Sequence, residues 1–136
     1  MMNYLSKKTI VVINRISTDI AGGINVGKSN LRLGQSLGFV HGIYHNSVFG
    51  QPIYPDIFHM AGGYLFYIIK NHPFTDGNKR TGLASAVMFL EQNEISLSEF
   101  EEDEAFQFIM AVAAGRNDPK SEIPHIAGWL KSMALF

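Results

Sequence analysis

Apolar residues recur at helical spacing along most of the chain. Ile10, Ile13, Ile16 (or Ser17) and Ile20 mark one face over residues 6–21, and Val11 and Val12 broaden it. The pair Gly22-Gly23 predicts a stop. A second helix is expected over residues 30–44 from Leu31, Leu33 and Leu37, despite interior glycines. The run NSVFGQPIY over residues 46–54 carries Gly50 and Pro52, which suit an extended or hairpin-like surface segment. A helix then starts near Pro55 or Asp56, with Ile57, Met60 or Ala61, Tyr64, Leu65 and Ile68 on its stripe. Gly62-Gly63 inside it cost ~1 kcal/mol each against alanine, so their expected use is close approach of another helix.

Pro73 disfavours a helical residue before it, so this helix should stop near Asn71. The next is expected over residues 78–92, with Leu83, Ala84, Val87 and Leu90 inward. Ser98 followed by Glu101 reads as a capping box opening a helix through Phe106, Ile109, Met110 and Val112, closed at Gly115. A last helix is expected over residues 122–135, with Pro124 in its first turn. Strands should be short. The fold class is therefore all-α, a compact bundle of about six helices with a short flap segment.

The 136 residues suit one domain, 1–136. A formal net charge of -1 gives no whole-molecule sign of attraction to nucleic acid or an anionic membrane. The absence of cysteine rules out disulfides and thiolate metal sites. No stretch reaches the roughly 18 apolar residues of a membrane span, and the polar start before Ile10 lacks a signal-peptide pattern. A cytoplasmic protein, with no direct nucleic-acid or membrane partner, is expected.

The chemistry concentrates in HPFTDGNKRT, residues 72–81. His72, with an ordinary pKa of about 6.5, sits at a helix-to-loop junction and suits a general base for a hydroxyl. Pro73 stiffens the backbone, and Phe74 can anchor the loop in the core. Asp76 is a hard oxygen ligand of the kind magnesium takes beside phosphate oxygens. Gly77 and Asn78 open the next helix, whose N–H groups and dipole make an anion site. Lys79 and Arg80 add two positive charges. Phosphoryl transfer needs this kind of positioning and charge stabilisation. Taken singly, each residue has an ordinary reading: a helix-end histidine, a turn before a helix, a solvated basic face. Those readings explain the turn but not the whole collection.

The run resembles the signature of the Fic/Doc superfamily, HxFx(D/N)(A/G)N(K/G)R, and fills every position of it. The glycine-rich connection, the flap-like 47–54 segment, the YPD start before the motif helix and AVAAGR at 111–116 extend the likeness. The resemblance implies a Fic/Doc-type helical bundle. Two positions point to the Doc branch. Fic nucleotidyl transferases read HPFxxGNGRxxR, whereas Lys79 stands here in place of the second glycine and Leu83 in place of the second arginine. Doc-type proteins bind ATP in the opposite sense and transfer its γ-phosphate to a threonine of translation elongation factor Tu, which halts translation.

Carried over by position, His72 is the base, and Asp76 and Asn78 help hold magnesium (Mg2+) and phosphate. Gly77, Asn78, Lys79 and Arg80 bind the ATP phosphates, Lys79 and Arg80 also stabilising the transition state. The flap around Val48 and Phe49 positions the protein substrate by strand-like pairing. The inhibitory pattern (S/T)xxxE(G/N) of many Fic proteins is absent, since no glutamate is followed by Gly or Asn. The resemblance implies instead a separate Phd-like antitoxin that folds on binding. The alternatives are a Fic-like transferase of AMP to a protein hydroxyl, and a non-catalytic interaction domain that keeps the fold.

One motif competes. GGINVGKS at residues 22–29 matches the P-loop pattern GxxxxGK(S/T). That reading requires a buried strand leading into it and a parallel sheet, and the residues before it fit a helix. It is therefore read as a glycine-rich connection. His41 and His45, four apart, lack the further ligands of a metal site. Trp129 is expected in core packing.

Overall fold

The computed structural model describes residues 2–48 and 50–135, with Ser47 and Val48 described by their backbone. It is all-α in class. Six helices are seen among the described residues: α1 (Lys7–Ile20), α2 (Phe39–His45), α3 (Ile57–Asn71), α4 (Asn78–Gln92), α5 (Glu102–Ala114) and α6 (Pro119–Ser132). Two short antiparallel pairs complete it, β1 (Ser47–Val48) with β2 (Gln51–Pro52), and β3 (Ser96–Leu97) with β4 (Ala134–Leu135).

Helix α3 is the axis. Phe58, Met60, Ala61, Tyr64, Leu65, Phe66, Ile68 and Ile69 are all buried, so it is covered on every side, as an all-round apolar helix must be. Asp56 starts it by accepting the His59 N–H at 2.9 Å. Burial acts to raise the Asp56 carboxyl, but the hydrogen bonds from His59 outweigh it and hold it below its ordinary value. The two interior glycines admit neighbours. A β-carbon on Gly62 would stand 3.2 Å from the Ile123 carbonyl of α6, and one on Gly63 would stand 2.8 Å from the Tyr54 ring. Gly62 thus does what the sequence suggested, while Gly63 makes room for an aromatic ring rather than a helix. Gly82 lets α4 approach, with Ile69 and the Leu65 carbonyl against it.

Helix α1 ends in a Schellman motif, as Gly22-Gly23 predicted: Gly23 N–H donates to the Thr18 carbonyl at 2.9 Å and Gly22 N–H to Asp19 at 3.1 Å. Its buried face differs from the expected stripe. Ile10, Ile13, Asn14 and Thr18 face inward, whereas Ile16 is 54% and Ile20 82% exposed. The inward positions follow the 3.6-residue period through two polar residues: Asn14 meets polar groups of the α3–α4 loop and of α4, while the Thr18 hydroxyl is buried without a partner.

The helix expected over residues 30–44 is only α2. Asn30 and Gly34 have positive φ, 59° and 79°, which breaks a helix. The preceding segment runs extended instead, with Leu31 bridging Phe74, Arg32 N–H donating to the Pro73 carbonyl and Thr75 N–H to the Asn30 carbonyl, both at 2.8 Å. On α4 the bounds match, but Thr81, Gly82, Ser85, Ala86, Phe89 and Leu90 are the buried positions; Leu83, Ala84 and Val87 are half-buried.

Helix α5 is capped by Glu101, not Ser98. The Glu101 carboxylate accepts from Asp103 and Glu104 N–H, while Ser98 N–H extends the β3–β4 pairing to the Met133 carbonyl. It closes at Gly115 as expected, and Lys70 of α3 donates to the Ala113 and Gly115 carbonyls there. Phe106 and Met110 lie exposed, with Ile109 and Val112 inward. Helix α6 begins earlier than expected, with Asp118 as cap and Pro119 in the first turn, so Pro124 sits inside the helix. Trp129 is half-buried, stacked on Phe108 at 4.0 Å between ring centroids.

The P-loop-like segment follows helix α1 rather than a strand, and the described sheets are two-stranded and antiparallel. A P-loop fold is thereby excluded.

Candidate active site

The loop between α3 and α4 carries the motif, and both its ends are set by backbone geometry. His72 ends α3 in the left-handed region, φ 46° and ψ 54°. Pro73 behind it bars the right-handed helical conformation, and the left-handed one costs a residue with a β-carbon about 1–2 kcal/mol. Arg32 holds the turn: its Nε donates to the His72 carbonyl at 2.5 Å and its Nη2 to the Asn71 carbonyl at 3.4 Å. A cation is thereby fixed at the carbonyl end of α3.

Gly77, at φ 75°, opens α4 without a side-chain cap. Among the described residues no acceptor meets the backbone N–H groups of Asn78, Lys79 and Arg80; the first helical bond runs from Thr81 N–H to the Gly77 carbonyl at 2.8 Å. Open N–H groups at a helix start form an anion site. Lys79 is half-buried and Arg80 exposed beside them. With Leu83, Phe100, Phe106 and Ile109 they line a cleft of about 440 Å³. Leu83, in the place of the nucleotidyl transferases' second arginine, gives this cleft an apolar wall.

Phe74 is buried and pins the loop to the core, as expected. Asn78 grips it from the helix: Oδ1 accepts the Phe74 N–H and Nδ2 donates to the Phe74 carbonyl, both at 3.0 Å. The Asn78 amide therefore shapes the loop. Asp76 is exposed, and its Oδ1 accepts the Gly77 N–H at 2.7 Å. Its Oδ2 lies over Gly23, where a β-carbon would come within 2.8 Å.

The His72 imidazole is held below its ordinary pKa of 6.5, first by partial burial and then by Lys79, Arg32 and Lys70. That shift favours the neutral imidazole, the form that accepts a proton.

The structure brings His72, Asp76, Gly77, Asn78, Lys79 and Arg80 into one turn. The flap is separate, a hairpin with Val48 paired to Gln51; Phe49 lies outside the described residues. Asn46, in the left-handed region at φ 46°, closes its base by bonding Tyr54 at both N–H (2.6 Å) and carbonyl (3.0 Å). His41 and His45 are exposed, and no group of three acidic or histidine residues among those described is placed to hold a metal alone.

Arg32, Asn14 and Asn30 escaped the sequence reading. For Asn14 a signal existed, since it shares a helical face with Ile10, Ile13 and Thr18. For Arg32 and Asn30 none did, because their places depend on a loop with no periodicity.

Fold and loop together define a helical protein with a histidine of lowered pKa on the same turn as an open helix start. The chain belongs to the Fic/DOC family, whose profile matches residues 4–90, from before α1 through most of α4. Toxin Doc of Mycolicibacterium smegmatis is 34% identical over 84 residues, 61% of this chain and 65% of that protein. Protein kinase doc of Escherichia phage P1 is 35% identical over 60 residues, 44% of this chain and 46% of that protein. The matched segments span less than two thirds of either relative. Among the described residues no helix is long and apolar enough to cross a membrane.

Proposed function

We propose that this chain is a toxin-type protein kinase of the Doc kind, moving the γ-phosphate of ATP to a hydroxyl of a translation factor, elongation factor Tu being the expected target. The carrying observation is His72, with Lys79 and Arg32 near it, on the same turn as the uncapped start of α4. His72 takes the proton of the attacking hydroxyl. The new bond joins that oxygen to the γ-phosphorus while the bond to the β–γ bridging oxygen breaks and ADP leaves. On the turn that Gly77 permits, Asn78, Lys79 and Arg80 hold phosphate through their open N–H groups and two cations. A bound magnesium ion would supply charge neutralisation for the phosphates, and Asp76 is the residue that would hold it. The flap, with Val48 in β1 and Phe49 following, receives the substrate as an added strand. The restraining partner is a Phd-like antitoxin that folds on the toxin. A kinase relative and a toxin relative, each named Doc, support this reading.

The apolar wall at Leu83 and the cation at Lys79 favour phosphate transfer over transfer of AMP. Intact-mass analysis of elongation factor Tu after incubation with the protein, ATP and magnesium tests it. One added phosphate, absent with His72→Ala, is the expected result. One added AMP would replace this reading with nucleotidyl transfer, and no change on this factor would remove it as the target.

A further inference from the structure

Behind the loop lies a closed set of amides. Asn14 is fully buried and Asn30 2% exposed. Asn14 Nδ2 donates to the Asp76 carbonyl at 2.8 Å and to Thr81 Oγ1 at 3.0 Å, and its Oδ1 accepts from Asn30 Nδ2 at 2.9 Å. Asn30 Nδ2 also donates to Asn25 Oδ1 at 2.6 Å, and its Oδ1 accepts the Val26 N–H at 2.5 Å. Both hydrogens of each amide are used, so the orientation of each is fixed by its partners. The Asn30 carbonyl takes the Thr75 N–H, which ties the same residue to the loop a second time.

The Asp76 carbonyl and the Gly77 N–H belong to one peptide plane, and in a trans peptide they point in opposite directions. Aiming the carbonyl inward at Asn14 therefore aims the Gly77 N–H outward, where it meets Asp76 Oδ1. Gly77 lacks a β-carbon and tolerates either sign of φ, so the glycine itself does not choose between this orientation and its flip. A flipped peptide would present a carbonyl oxygen beside the open start of α4 and repel a phosphate there.

We propose that Asn14, braced by Asn30, is a positioning residue for phosphate binding: it locks the Asp76–Gly77 peptide so that its carbonyl oxygen stays turned away from the open N–H groups of α4 and its N–H holds the Asp76 carboxylate in place. This rests on the phosphate-handling role of the loop. Its effect falls on nucleotide affinity and not on proton transfer, since Asn14 touches neither His72 nor any reacting atom.

The test compares Asn14→Asp with Thr81→Val. The aspartate keeps the shape but faces the Asp76 carbonyl without a hydrogen. The valine removes the other acceptor and keeps the Asn14–Asp76 bond. Asn14→Asp should raise KM for ATP about tenfold or more, because a carbonyl oxygen turned toward the phosphate weakens its binding in ground and transition state alike, while kcat at saturating ATP and its acid limb stay near wild type. Thr81→Val should lower stability without that rise in KM. Calorimetric titration with inorganic pyrophosphate and magnesium reads the same affinity in the absence of any transfer, so a failure of the kinase reading is told apart from a failure of this one. Amide exchange should show the Gly77, Thr75 and Thr81 N–H groups losing protection in Asn14→Asp while α3 and α6 keep theirs. Equal pyrophosphate affinity in wild type and Asn14→Asp, or an equal rise in KM in both variants, would overturn the proposal.

Discussion

The side-chain amide of Asn78 is bonded at both ends to the backbone of Phe74, N–H to Oδ1 and carbonyl to Nδ2, each at 3.0 Å. The first residue of α4 thus reaches back and closes the loop that precedes it. Asn78→Ala leaves the Phe74 backbone pair partly buried and unmatched, which costs about 1–3 kcal/mol. Denaturant unfolding should show that loss, together with a fall in nucleotide affinity. Asn78→Asp keeps one acceptor and should fall between alanine and wild type. Unchanged stability in Asn78→Ala would show that the loop holds its shape without this clamp.

His72→Ala should stop transfer almost completely, a loss of roughly 10²–10⁴ in kcat for a general base. Its thermal midpoint should stay near wild type, because the His72 side chain is exposed and its turn is held through the backbone by Arg32. Transfer at the wild-type rate would remove His72 from the mechanism.

The lowered pKa of His72 sets a pH dependence. Activity should hold as pH falls past the ordinary value of 6.5 and drop only below it, when the folded imidazole protonates. For stability, the unfolded chain binds the proton first on acidification, so the unfolded state gains protons over the native one. The contribution is present above 6.5 and is lost as pH falls from there through the lower folded value. A pH–rate profile gives the first. In Arg32→Gln the acid limb should move up toward the ordinary value, since one of the depressing cations is gone. An acid limb in the wild type above 6.5 would contradict the assignment.

Gly23→Ala tests how closely Asp76 is held. The added carbon would lie 2.8 Å from Asp76 Oδ2 and 3.0 Å from Thr18 Cγ2. The exposed carboxylate is the group free to move, so the expected result is a modest stability change and weakened magnesium-dependent ATP binding. Calorimetry with and without magnesium separates the two effects. Identical magnesium dependence in the variant would mean that the position of Asp76 is immaterial.

Gly62→Ala addresses the fold alone. Its β-carbon would press on the Ile123 carbonyl at 3.2 Å, backbone that has little room to yield. Overpacking of this kind costs about 1–3 kcal/mol, read as a lowered denaturation midpoint with the loop chemistry intact. A gain in stability, as alanine gives in an open helix, would show that α6 shifts freely.

The helical class, the bounds of α3 and α4, and the turn that joins them were legible in the chain itself, for local reasons. Pro73 stops one helix, Gly77 permits the turn into the next, and the apolar period of α3 runs unbroken between Asp56 and Asn71. Every motif residue lies within that one turn, so no long-range contact was needed to gather them. Tertiary structure decided what lies behind it. Ile16 and Ile20 face solvent while Asn14 faces inward, because the inner surface of α1 meets a backbone carbonyl of the loop and not only side chains of the core. Residues 30–38 gave up a helix to run beside Pro73 and Thr75, where Arg32 and Asn30 find partners some forty positions away. Local propensity carries no information about such partners. Hydrogen bonds that a distant loop leaves open determine which polar residues belong inside.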